Sequence, residues 1–386
     1  IKESKLVSIS TTLATNAIVE AQTTPAALII IGQDKAILNK SGLDKLLGND
    51  PIVFITGGHD STGAETEALD IHNLKLAIEK YNDGVESYAV AGYFSVRNPD
   101  HEIKTRTLIK NLTNKPVTCS HELTSNLDAP RRAVTTLINA RLISLLHNLI
   151  VSVQSLMNDY SISAPLMVVR GDGSLISAKS ALNKPVETIL SGPAASVIGA
   201  CHLSGVTNGI VSDMGGTTTD IVLFKNGSPS ISKEGAMIGG WRTMVEAVNV
   251  CSFGLGGDSE IKHDEFGNLI LGPRRVIPIS LLVHTYPNAK TLLKKQIERS
   301  SHSRYDGCYA VLVKDYNLKV KRGGDSVKGP SKVETKILKK LQKGPVELQE
   351  IYALGMGSQI LSRMINEGRA IISSFTPSDA SHVLRR

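Results

Sequence analysis

Two carboxylates bracket a turn of glycine and threonine in the stretch IVSDMGGTTTDIVLFK, residues 210–225. Asp213 enters this turn and Asp220 leaves it. Glycine lets backbone N–H groups come close to an anion, and threonine hydroxyls add further donors. Paired carboxylates can hold a Mg²⁺ ion that bridges to phosphate oxygens. The sequence therefore predicts that Asp213 and Asp220 bind metal and that the turn binds phosphate. The turn residues are Gly215, Gly216, Thr217, Thr218 and Thr219.

The elements that position this turn are predicted strands. β-rich runs at 210–214 and 220–224 flank it, and a third short run at 230–232 follows Asn226-Gly227, so we predict a three-stranded meander. This is strand-turn-strand, unlike the strand-loop-helix of a P-loop or a Rossmann turn. It resembles the phosphate-binding hairpin of the acetate kinase, sugar kinase, Hsp70 and actin superfamily. The alternative is an ordinary hairpin, although an ordinary turn requires neither both aspartates nor three threonines.

A second glycine cluster, FGLGGDS at 253–259, follows the hairpin. Its backbone N–H groups are candidates for contact with an anion, and Asp258 is a candidate ligand for a metal or water. Such a run is weak evidence alone, but its position after a phosphate hairpin favours a role in nucleotide binding. The glycines concerned are Gly254, Gly256 and Gly257.

Arg170 opens the run RGDGS at 170–174, just after a predicted strand at 165–169. Two interpretations stay open. The run is either a tight glycine turn with an exposed ion pair, or it places Arg170 near a phosphate or carboxylate, for which the planar guanidinium is suited.

Candidate substrate residues follow two other predicted strands. Thr11 and Thr12 come between a strand at 6–10 and a helix that we expect to run through Glu20, where their hydroxyls either cap the helix or bind an anion. His59 follows a strand at 52–55, a position that often lines a ligand crevice in an α/β sheet. A lone histidine in such a loop is otherwise a hydrogen-bonding turn residue.

Strands alternate with helices along the first half of the chain, which predicts an α/β fold with a mostly parallel sheet covered by helices. One helix is predicted over 129–160. Its apolar stretch at 142–158 is interrupted by polar residues, so we predict a buried helix and no membrane span. The predicted strands are at 26–31, 52–55, 87–91, 117–120 and 165–169.

The 386 residues, 41% of them hydrophobic, are enough for two or three domains. The four cysteines are scattered without a CxxC pair, which argues against a zinc ribbon or a disulfide scaffold and favours a reducing cytoplasm. The chain has no secretory signal pattern. Because it starts at Ile1 with a strand close behind, we expect it to begin inside a larger protein.

The last hundred residues differ in character. Residues 290–343 contain 15 Lys or Arg against 5 Asp or Glu, although the whole chain has a net charge of only +7. Helices at 331–343, 345–353 and 358–367 and a strand at 369–374 form a pattern typical of a winged helix-turn-helix. Such a unit could bind nucleic acid, or it could be a small helical insert with a solvated basic face.

Along most of its length the chain resembles the A-type, ATP-using subunit of the hydantoinase/oxoprolinase family. The resemblance implies a two-lobed, ribonuclease H-like fold with three parts: the remainder of an N-terminal lobe (1–165), a phosphate-hairpin lobe (166–285) and the basic, winged-helix-like segment (286–386). The motifs that carry it are STTLATNAIVE (10–20), FITGGHD (54–60), FSVRNPDHE (94–102), SHELTSNL (120–127), RGDGSL (170–175), PVETILSGPAAS (185–196), DMGGTTTDI (213–221), GLGGDS (254–259) and FTPSDASHVL (375–384).

The resemblance also implies an activity: activation of a cyclic amide, such as a hydantoin or 5-oxoproline, by ATP and Mg²⁺ for ring-opening hydrolysis, while relatives carboxylate ketones. It gives Asp213 and Asp220 the catalytic and metal-binding roles, and it places Thr11, Thr12, Asn16 and His59 on the substrate side. We expect a B-type subunit or a second copy of the chain as partner. Family members usually have a first hairpin DxGGTxTD and continue past HVL, so we expect both ends to be missing here.

Two alternatives remain at this stage. One is a nucleotide-regulated protein that binds DNA through the winged-helix-like segment. The other is a small-molecule kinase, which shares the same hairpin and differs only in its substrate.

Overall fold

The computed structural model describes residues 4–19, 23–40, 42–264, 266–301, 303–313, 331–366 and 368–385. Within the predicted basic segment, residues 314–330 lie outside the described residues, as does Glu20 at the predicted end of the first helix. The chain forms two compact units. Unit 1 comprises Ile1–Val211 and Ile221–Cys251, and unit 2 comprises Ser212–Asp220 and Ser252–Arg386. The predicted domain limit near 165 falls inside unit 1 and the limit near 285 inside unit 2, so the three-part division stays a prediction.

Unit 1 begins with alternating strands and helices, as predicted. The strands are β1 (Val7–Ile9), β2 (Ala26–Ile31), β3 (Ile52–Ile55), β4 (Gly58–His59), β5 (Glu65–Glu67), β6 (Ser87–Gly92), β7 (Val117–Cys119), β8 (Leu166–Val169) and β9 (Leu175–Ser177). The helices are α1 (Leu13–Val19), α2 (Leu43–Leu47), α3 (Ile71–Tyr81), α4 (Asp100–Thr113), α5 (Ala129–Asp159), α6 (Ala178–Asn183) and α7 (Ser191–Ser204).

The main sheet of unit 1 is parallel, in the order β3-β2-β6-β7. All six residues of β2 are buried, and they alternate between two hydrophobic cores. Leu28 and Ile30 pack with residues of α5 and α2 on one face, whereas Ile29 and Ile31 pack with residues of α3 and α4 on the other. A strand covered on both faces must be apolar throughout, which is why the run could be recognised from its sequence. The predicted parallel sheet with helical covers is confirmed.

Helix α5 is the central helix of unit 1. Among the described helices, only α5 is long and apolar enough to cross a membrane. Its residues fill two hydrophobic cores, Leu137 and Ile138 in the first and Leu146 and Ile150 in the second. The buried Arg132 and Asn139 are hydrogen-bonded within the unit. These contacts are those of a core helix, as predicted.

Short strands follow α7 along the chain: β10 (Gly209–Met214), β11 (Thr219–Lys225), β12 (Ser228–Pro229), β13 (Ile231–Ser232), β14 (Met237–Ile238), β15 (Trp241–Arg242), β16 (Ala247–Val248) and β17 (Val250–Phe253). β10, β11 and β12 are neighbours in one sheet, and β17 also pairs with β11. The predicted third strand at 230–232 is wrong in its pairing. Ser228 and Pro229 lie beside β11, whereas Ile231 and Ser232 pair with β16.

Unit 2 continues with β18 (Ser259–His263), β19 (Leu269–Arg275), β20 (Ile277–Pro278), α8 (Ile279–Thr285), α9 (Ala289–Ile297), β21 (Tyr309–Leu312), α10 (Lys332–Leu341), β22 (Val346–Glu347), α11 (Leu348–Tyr352), α12 (Gly357–Asn366), β23 (Ala370–Ser374) and α13 (Pro377–Leu384). Its sheet has the order β20-β23-β21-β22. Helices α10, α11 and α12 contribute Ile337, Ile351 and Leu361 to one core with this sheet. The three predicted helices and the final strand are present.

Candidate functional site

The turn between β10 and β11 is exposed and has unpaired backbone donors. The Gly215 N–H donates to the carbonyl oxygen of Thr218 at 2.9 Å, which closes the turn. By contrast, the N–H groups of Gly216, Thr217 and Thr218 donate no hydrogen bond to any described residue. Thr217 and Thr218 are exposed. Three consecutive free N–H groups at a glycine turn are what an anion site requires.

A loop of the same unit fixes the direction of these donors. The N–H of Gly257 donates to the carbonyl oxygen of Gly215 at 2.9 Å, and the N–H of Asp258 donates to the carbonyl oxygen of Gly216 at 2.8 Å. In a trans peptide the N–H points opposite to the carbonyl oxygen. The N–H groups of Gly216 and Thr217 therefore point away from this loop, which leaves them free for a ligand.

The glycines of that loop are required by close packing against the hairpin turn. A Cβ atom on Gly256 would lie 2.5 Å from the carbonyl carbon of Gly216, and one on Gly216 would lie 2.6 Å from Oδ2 of Asp258. A Cβ atom on Gly257 would lie 2.7 Å from the hydroxyl of Ser378. At Gly256 the close atoms belong to the backbone of the turn, so glycine is what lets the two backbones approach. At Gly216 and Gly257 the close atoms are the ends of the Asp258 and Ser378 side chains.

The N–H groups of Gly256, Gly257 and Asp258 have partners within the protein, and the role of these residues in nucleotide binding stays a prediction. The Gly256 N–H donates to the hydroxyl of Ser259 at 2.8 Å, and the other two donate to the hairpin turn. The side chain of Asp258 forms an ion pair with Arg275, 3.0 Å from Oδ2 to the guanidinium, so it is not a free metal ligand. The loop supports the turn. Gly254 lies in the same loop and is exposed, and its role stays a prediction.

The two predicted metal ligands differ in their surroundings. Asp220 accepts a 2.6 Å hydrogen bond from the hydroxyl of Ser252 on Oδ1, which orients its carboxylate. Asp213 is exposed, and its side chain makes no hydrogen bond or ion pair with the described part of the chain. Mg²⁺ commonly binds through one or two carboxylates together with substrate phosphates, and this pair is compatible with that pattern.

Thr219 is the one threonine of the turn that the structure separates from the others. It is buried, and its hydroxyl donates to the carbonyl oxygen of Leu255 at 2.6 Å. This hydrogen bond joins the turn to the supporting loop, and a contact of Thr219 with phosphate stays a prediction.

Arg170 lies in unit 1, where two carboxylates occupy its guanidinium. The distances are 3.0 Å to Oδ2 of Asp172 and 3.1 Å to Oε2 of Glu187. The turn is closed by the N–H of Arg170, which donates to the carbonyl oxygen of Ser174. These contacts match the ion-pair interpretation, and a role toward phosphate stays a prediction.

Thr11, Thr12 and Asn16 surround the start of α1. The Thr11 hydroxyl accepts from the N–H of Leu13 at 2.9 Å and so caps the helix. The Thr11 carbonyl accepts from the hydroxyl of the buried Ser191 at 3.0 Å. Thr12 and Asn16 are exposed and hydrogen-bonded to each other. These residues form a group of their own, and none of them lies in the wall of the cavity that contains His59.

His59 lies in β4, and its side chain is buried, with 3% exposed. Its ring stacks against that of His101 with 4.3 Å between centroids. The ring forms part of the wall of a cavity at the ends of β2, β3 and β6. The predicted crevice beyond the strand ends is therefore present. A role toward substrate stays a prediction.

A buried network that the sequence analysis did not identify lies at the ends of β6 and β7. The carboxylate of Glu102, on α4, is fully buried and accepts from the N–H of Gly92 at 2.7 Å and from the hydroxyl of Ser120 at 2.6 Å. It also accepts from the N–H of His121 at 3.1 Å and contacts Nδ1 of that ring. Arg132, from α5, donates to the carbonyl oxygen of Gly92 at 2.8 Å. The motif at 120–122 was the available signal.

Glu102, Cys119 and His121 place three donor atoms within 4.8 Å of one another, the geometry of a metal site. The Glu102 carboxylate of this group is already held by hydrogen bonds from the protein. Burial would raise the pKa of the Glu102 carboxyl, but hydrogen bonds from His121, Ser120 and Gly92 outweigh it and lower that pKa. Burial raises the pKa of the Cys119 thiol, which therefore stays protonated. We interpret the group as a structural network that holds two strand ends together.

Two sequence models of one protein family match this chain. The pattern described as Hydantoinase/oxoprolinase N-terminal region matches residues 2–113, and the pattern described as Hydantoinase/oxoprolinase matches residues 132–279. Together the two matches include more than half of the chain.

Relatives with named activities are similar over part of their length. The caprolactamase subunit alpha of Pseudomonas jessenii is 32% identical over 219 residues, which are 55% of this chain and 31% of the relative. The acetophenone carboxylase gamma subunit of Aromatoleum aromaticum is 25% identical over 240 residues, 59% of this chain and 32% of the relative. The chain thus spans about a third of the length of these curated relatives.

A solved structure agrees. The crystal structure of the ATP-dependent caprolactamase from Pseudomonas jessenii aligns with a TM-score of 0.58 and 27% sequence identity, over 71% of this chain and 42% of that one. The mixed α/β fold is therefore shared with that enzyme. The chain belongs to the hydantoinase/oxoprolinase family.

Proposed function

We propose that this chain is part of an ATP-dependent enzyme that activates a cyclic amide, such as a hydantoin or 5-oxoproline, for ring-opening hydrolysis. The observation that carries the proposal is the exposed turn at 215–218, whose N–H groups at Gly216 and Thr217 point away from the supporting loop and are unpaired. Asp213 and Asp220 stand on either side of it. The names of the relatives support the same class, because the related caprolactamase is ATP-dependent.

The residues of the turn fit Mg-ATP. Free backbone N–H groups and the exposed hydroxyls of Thr217 and Thr218 suit phosphate oxygens. Asp213 and the remaining oxygen of Asp220 suit Mg²⁺. Bound Mg-ATP would supply a phosphoryl group to the amide oxygen and so make the ring carbonyl open to attack by water. The protein contributes fixed donors, which need no reorganisation when charge develops.

The finer fold assignments belong to the same proposal. We propose that the hairpin lies in a ribonuclease H-like lobe of the acetate kinase and Hsp70 type, because its strand-turn-strand order and its free N–H groups match that use. We also propose that α10, α11 and α12 with β21, β22 and β23 form a winged-helix-like unit. Their three helices share one core with the antiparallel strands.

The partner is proposed by analogy. The related proteins are an alpha subunit of a caprolactamase and a gamma subunit of a carboxylase, so both belong to multi-subunit enzymes. A B-type subunit that completes the turnover of this chain is consistent with those names. The caprolactamase subunit is 32% identical to this chain and the carboxylase subunit is 25% identical, so we propose amide hydrolysis before carboxylation. The DNA-binding and kinase alternatives are not favoured by these relatives.

The test compares thermal unfolding with and without Mg-ATP in the wild type, in Asp213→Asn and in a matched control, Asp83→Asn, which changes an exposed aspartate of unit 1. At a hundredfold excess over the dissociation constant, ligand should stabilise the wild type and the control by about 2.7 kcal/mol. We expect Asp213→Asn to lose that shift. An equal shift in all three proteins would show that the nucleotide does not bind at the hairpin.

Activity is tested with the natural partner subunit present. Phosphate release from ATP should increase on addition of a hydantoin, 5-oxoproline or caprolactam, and the ring-opened acid should accumulate in equal amount. Phosphate release with a ketone and bicarbonate alone would favour the carboxylase reaction. A phosphorylated stable product would identify a kinase.

A further inference from the structure

The cavity beside His59 occupies a position where open parallel sheets bind ligands. In the order β3-β2-β6-β7, the chain passes from β2 to β3 on one side and then crosses to β6 on the other. The carboxyl ends of β2 and β6 therefore flank a point at which the direction of the connections reverses. Ligands of doubly wound folds bind in the crevice at such points. The cavity lies wholly within unit 1 and has a volume of about 780 Å³, enough for a small molecule.

The wall of the cavity contains a buried polar side chain without a polar partner. Only 3% of His59 is exposed, and its ring makes no hydrogen bond to any residue in the described ranges. Both ring nitrogens of His59 reach open space. The ring nitrogens therefore open onto the cavity, where a ligand can form the hydrogen bond that no described residue of the protein supplies.

Both ring nitrogens of the neighbouring His101 are hydrogen-bonded, unlike those of His59. His101 accepts a 3.1 Å hydrogen bond on Nδ1 from the N–H of Gly58, so Nδ1 carries no proton. Its Nε2 then donates to Oε1 of Glu65 at 2.8 Å. Burial lowers the pKa of His59. The free ring therefore lines the cavity in its neutral form, with one nitrogen able to accept a hydrogen bond.

The charged residues of the cavity wall favour a positively charged ligand. Asp34, Asp60 and Glu67 line the cavity, and no Lys or Arg is among the described residues that line it. Asp60 already accepts hydrogen bonds from the backbone and side chain of Thr62. Glu67 is exposed, and its carboxylate makes no hydrogen bond or ion pair with the described residues. A wall of carboxylates and a neutral imidazole repels anions and attracts cations.

Two aromatic rings complete the wall. Tyr93 and Phe94 follow β6, and their ring centroids lie 4.4 Å apart. Phe94 has a φ of +49°, a left-handed conformation that is unusual and strained for a residue of this size. Such strain is found at ligand sites, where it positions a side chain. Aromatic faces attract an ammonium group.

We propose that this cavity binds a small organic cation through its ammonium group, which donates a hydrogen bond to His59 and lies between Glu67 and the ring of Tyr93. A divalent metal ion fits less well, because the group of three close donors found among the described residues is the one at Glu102 and not here. The proposal concerns unit 1 alone and does not depend on the reaction proposed for the hairpin.

The test titrates the ¹⁵N-histidine-labelled chain with four probes: butylammonium, its neutral analogue butanol, its anionic analogue butyrate, and Zn²⁺ alone. The ring signals of His59 are identified by their loss in His59→Gln. We expect a saturable shift with butylammonium and none with butanol or butyrate. Equal shifts with butanol or butyrate would overturn the proposal, as would the absence of any saturable shift with butylammonium. A shift with Zn²⁺ alone would make this a metal site and would also overturn it.

Two exposed variants keep the test independent of folding. Glu67→Gln should raise the dissociation constant for butylammonium about fivefold, and Tyr93→Leu should raise it two- to fivefold. The matched control is Glu86→Gln, which changes an exposed glutamate of the same unit outside the cavity wall. It should bind as the wild type does. An identical loss in Glu67→Gln and Glu86→Gln would show general charge attraction instead of a site.

Discussion

The backbone N–H of Asp258 donates a 2.8 Å hydrogen bond to the carbonyl oxygen of Gly216, and the direction of the next peptide follows from it. Because that peptide is trans, the N–H of Thr217 points away from the loop of Asp258. The parallel contact from Gly257 to Gly215 acts on the preceding peptide in the same way. The direction of the free N–H groups of the turn therefore depends on a loop that offers few free donors of its own.

Gly256→Ala tests this dependence. The added Cβ atom would lie 2.5 Å from the carbonyl carbon of Gly216 and 2.6 Å from the nitrogen of Thr217, so a backbone must move. We expect a loss of about 1–3 kcal/mol in the free energy of unfolding of unit 2. We also expect the stabilisation by Mg-ATP to decrease, because the turn would be displaced. Urea unfolding and thermal shifts measure the two effects.

The matched control is Gly199→Ala in α7, where an added Cβ atom meets no atom within 4 Å. Alanine is the better helix former, so this variant should be neutral or more stable by up to about 1 kcal/mol. If both variants behaved alike, close backbone approach would not be the reason for glycine at position 256.

Thr219→Val and Thr217→Val should separate stability from binding. The hydroxyl of Thr219 is buried and donates to Leu255, so its removal leaves a carbonyl without a donor and costs about 1–3 kcal/mol. Thr217 is exposed, and its replacement should change stability by less than about 0.5 kcal/mol. With Mg-ATP, Thr217→Val should show the larger loss in affinity. A larger loss of Mg-ATP affinity in Thr219→Val than in Thr217→Val would instead support a contact between Thr219 and phosphate.

The strands could be predicted where burial alone decides the sequence. β2 and β3 begin and end at the predicted residues, since a strand with both faces covered has to be an apolar run. The two strands of the hairpin were predicted within one residue of their bounds. Periodicity also predicted α5, because a helix of 31 residues repeats its apolar pattern many times.

Backbone contacts between distant segments had no such signal. The loop of Gly256 contacts the hairpin through carbonyl and N–H groups, which nearly every residue possesses, so the sequence could not indicate this contact. The Glu102 network joins four segments, and apart from the motif that contains Ser120 and His121 nothing in the residue types indicates that they meet. Short strands were also unpredictable in their pairing, as β13 shows, because two residues carry almost no pattern.

Glu102→Gln should lower the stability of unit 1 in a pH-dependent way. The pKa of Glu102 in the folded protein lies below its ordinary value of 4.5. The unfolded chain therefore binds the proton first, and the stabilisation by the carboxylate is fully present above about pH 4.5 and lost as pH falls through the folded pKa. A glutamine amide would place a donor against the donors of Ser120 and His121, so we expect a loss of about 2–4 kcal/mol at pH 7.

The measurement is the unfolding midpoint from pH 7 to pH 3 for the wild type, Glu102→Gln and the exposed control Glu86→Gln. The difference between the wild type and Glu102→Gln should shrink toward acid pH, while the control should follow the wild type throughout. A difference that stayed constant with pH would mean that the charge of Glu102 does not contribute to stability. Addition of Zn²⁺ should have no effect on the wild-type midpoint if the group is structural.

Arg170→Gln distinguishes the two interpretations of the RGDGS turn. The guanidinium pairs with Asp172 and Glu187 and is partly exposed, so its loss should lower the stability of unit 1 by about 1 kcal/mol. Glu187→Gln should then cause a similar loss, because it breaks the same pair from the other side. Both variants should keep the full stabilisation by Mg-ATP. A phosphate-binding arginine predicts the opposite, with Arg170→Gln losing the ATP effect and Glu187→Gln retaining it. Thermal shifts of the two variants with and without Mg-ATP therefore decide whether Arg170 holds the turn or holds the nucleotide.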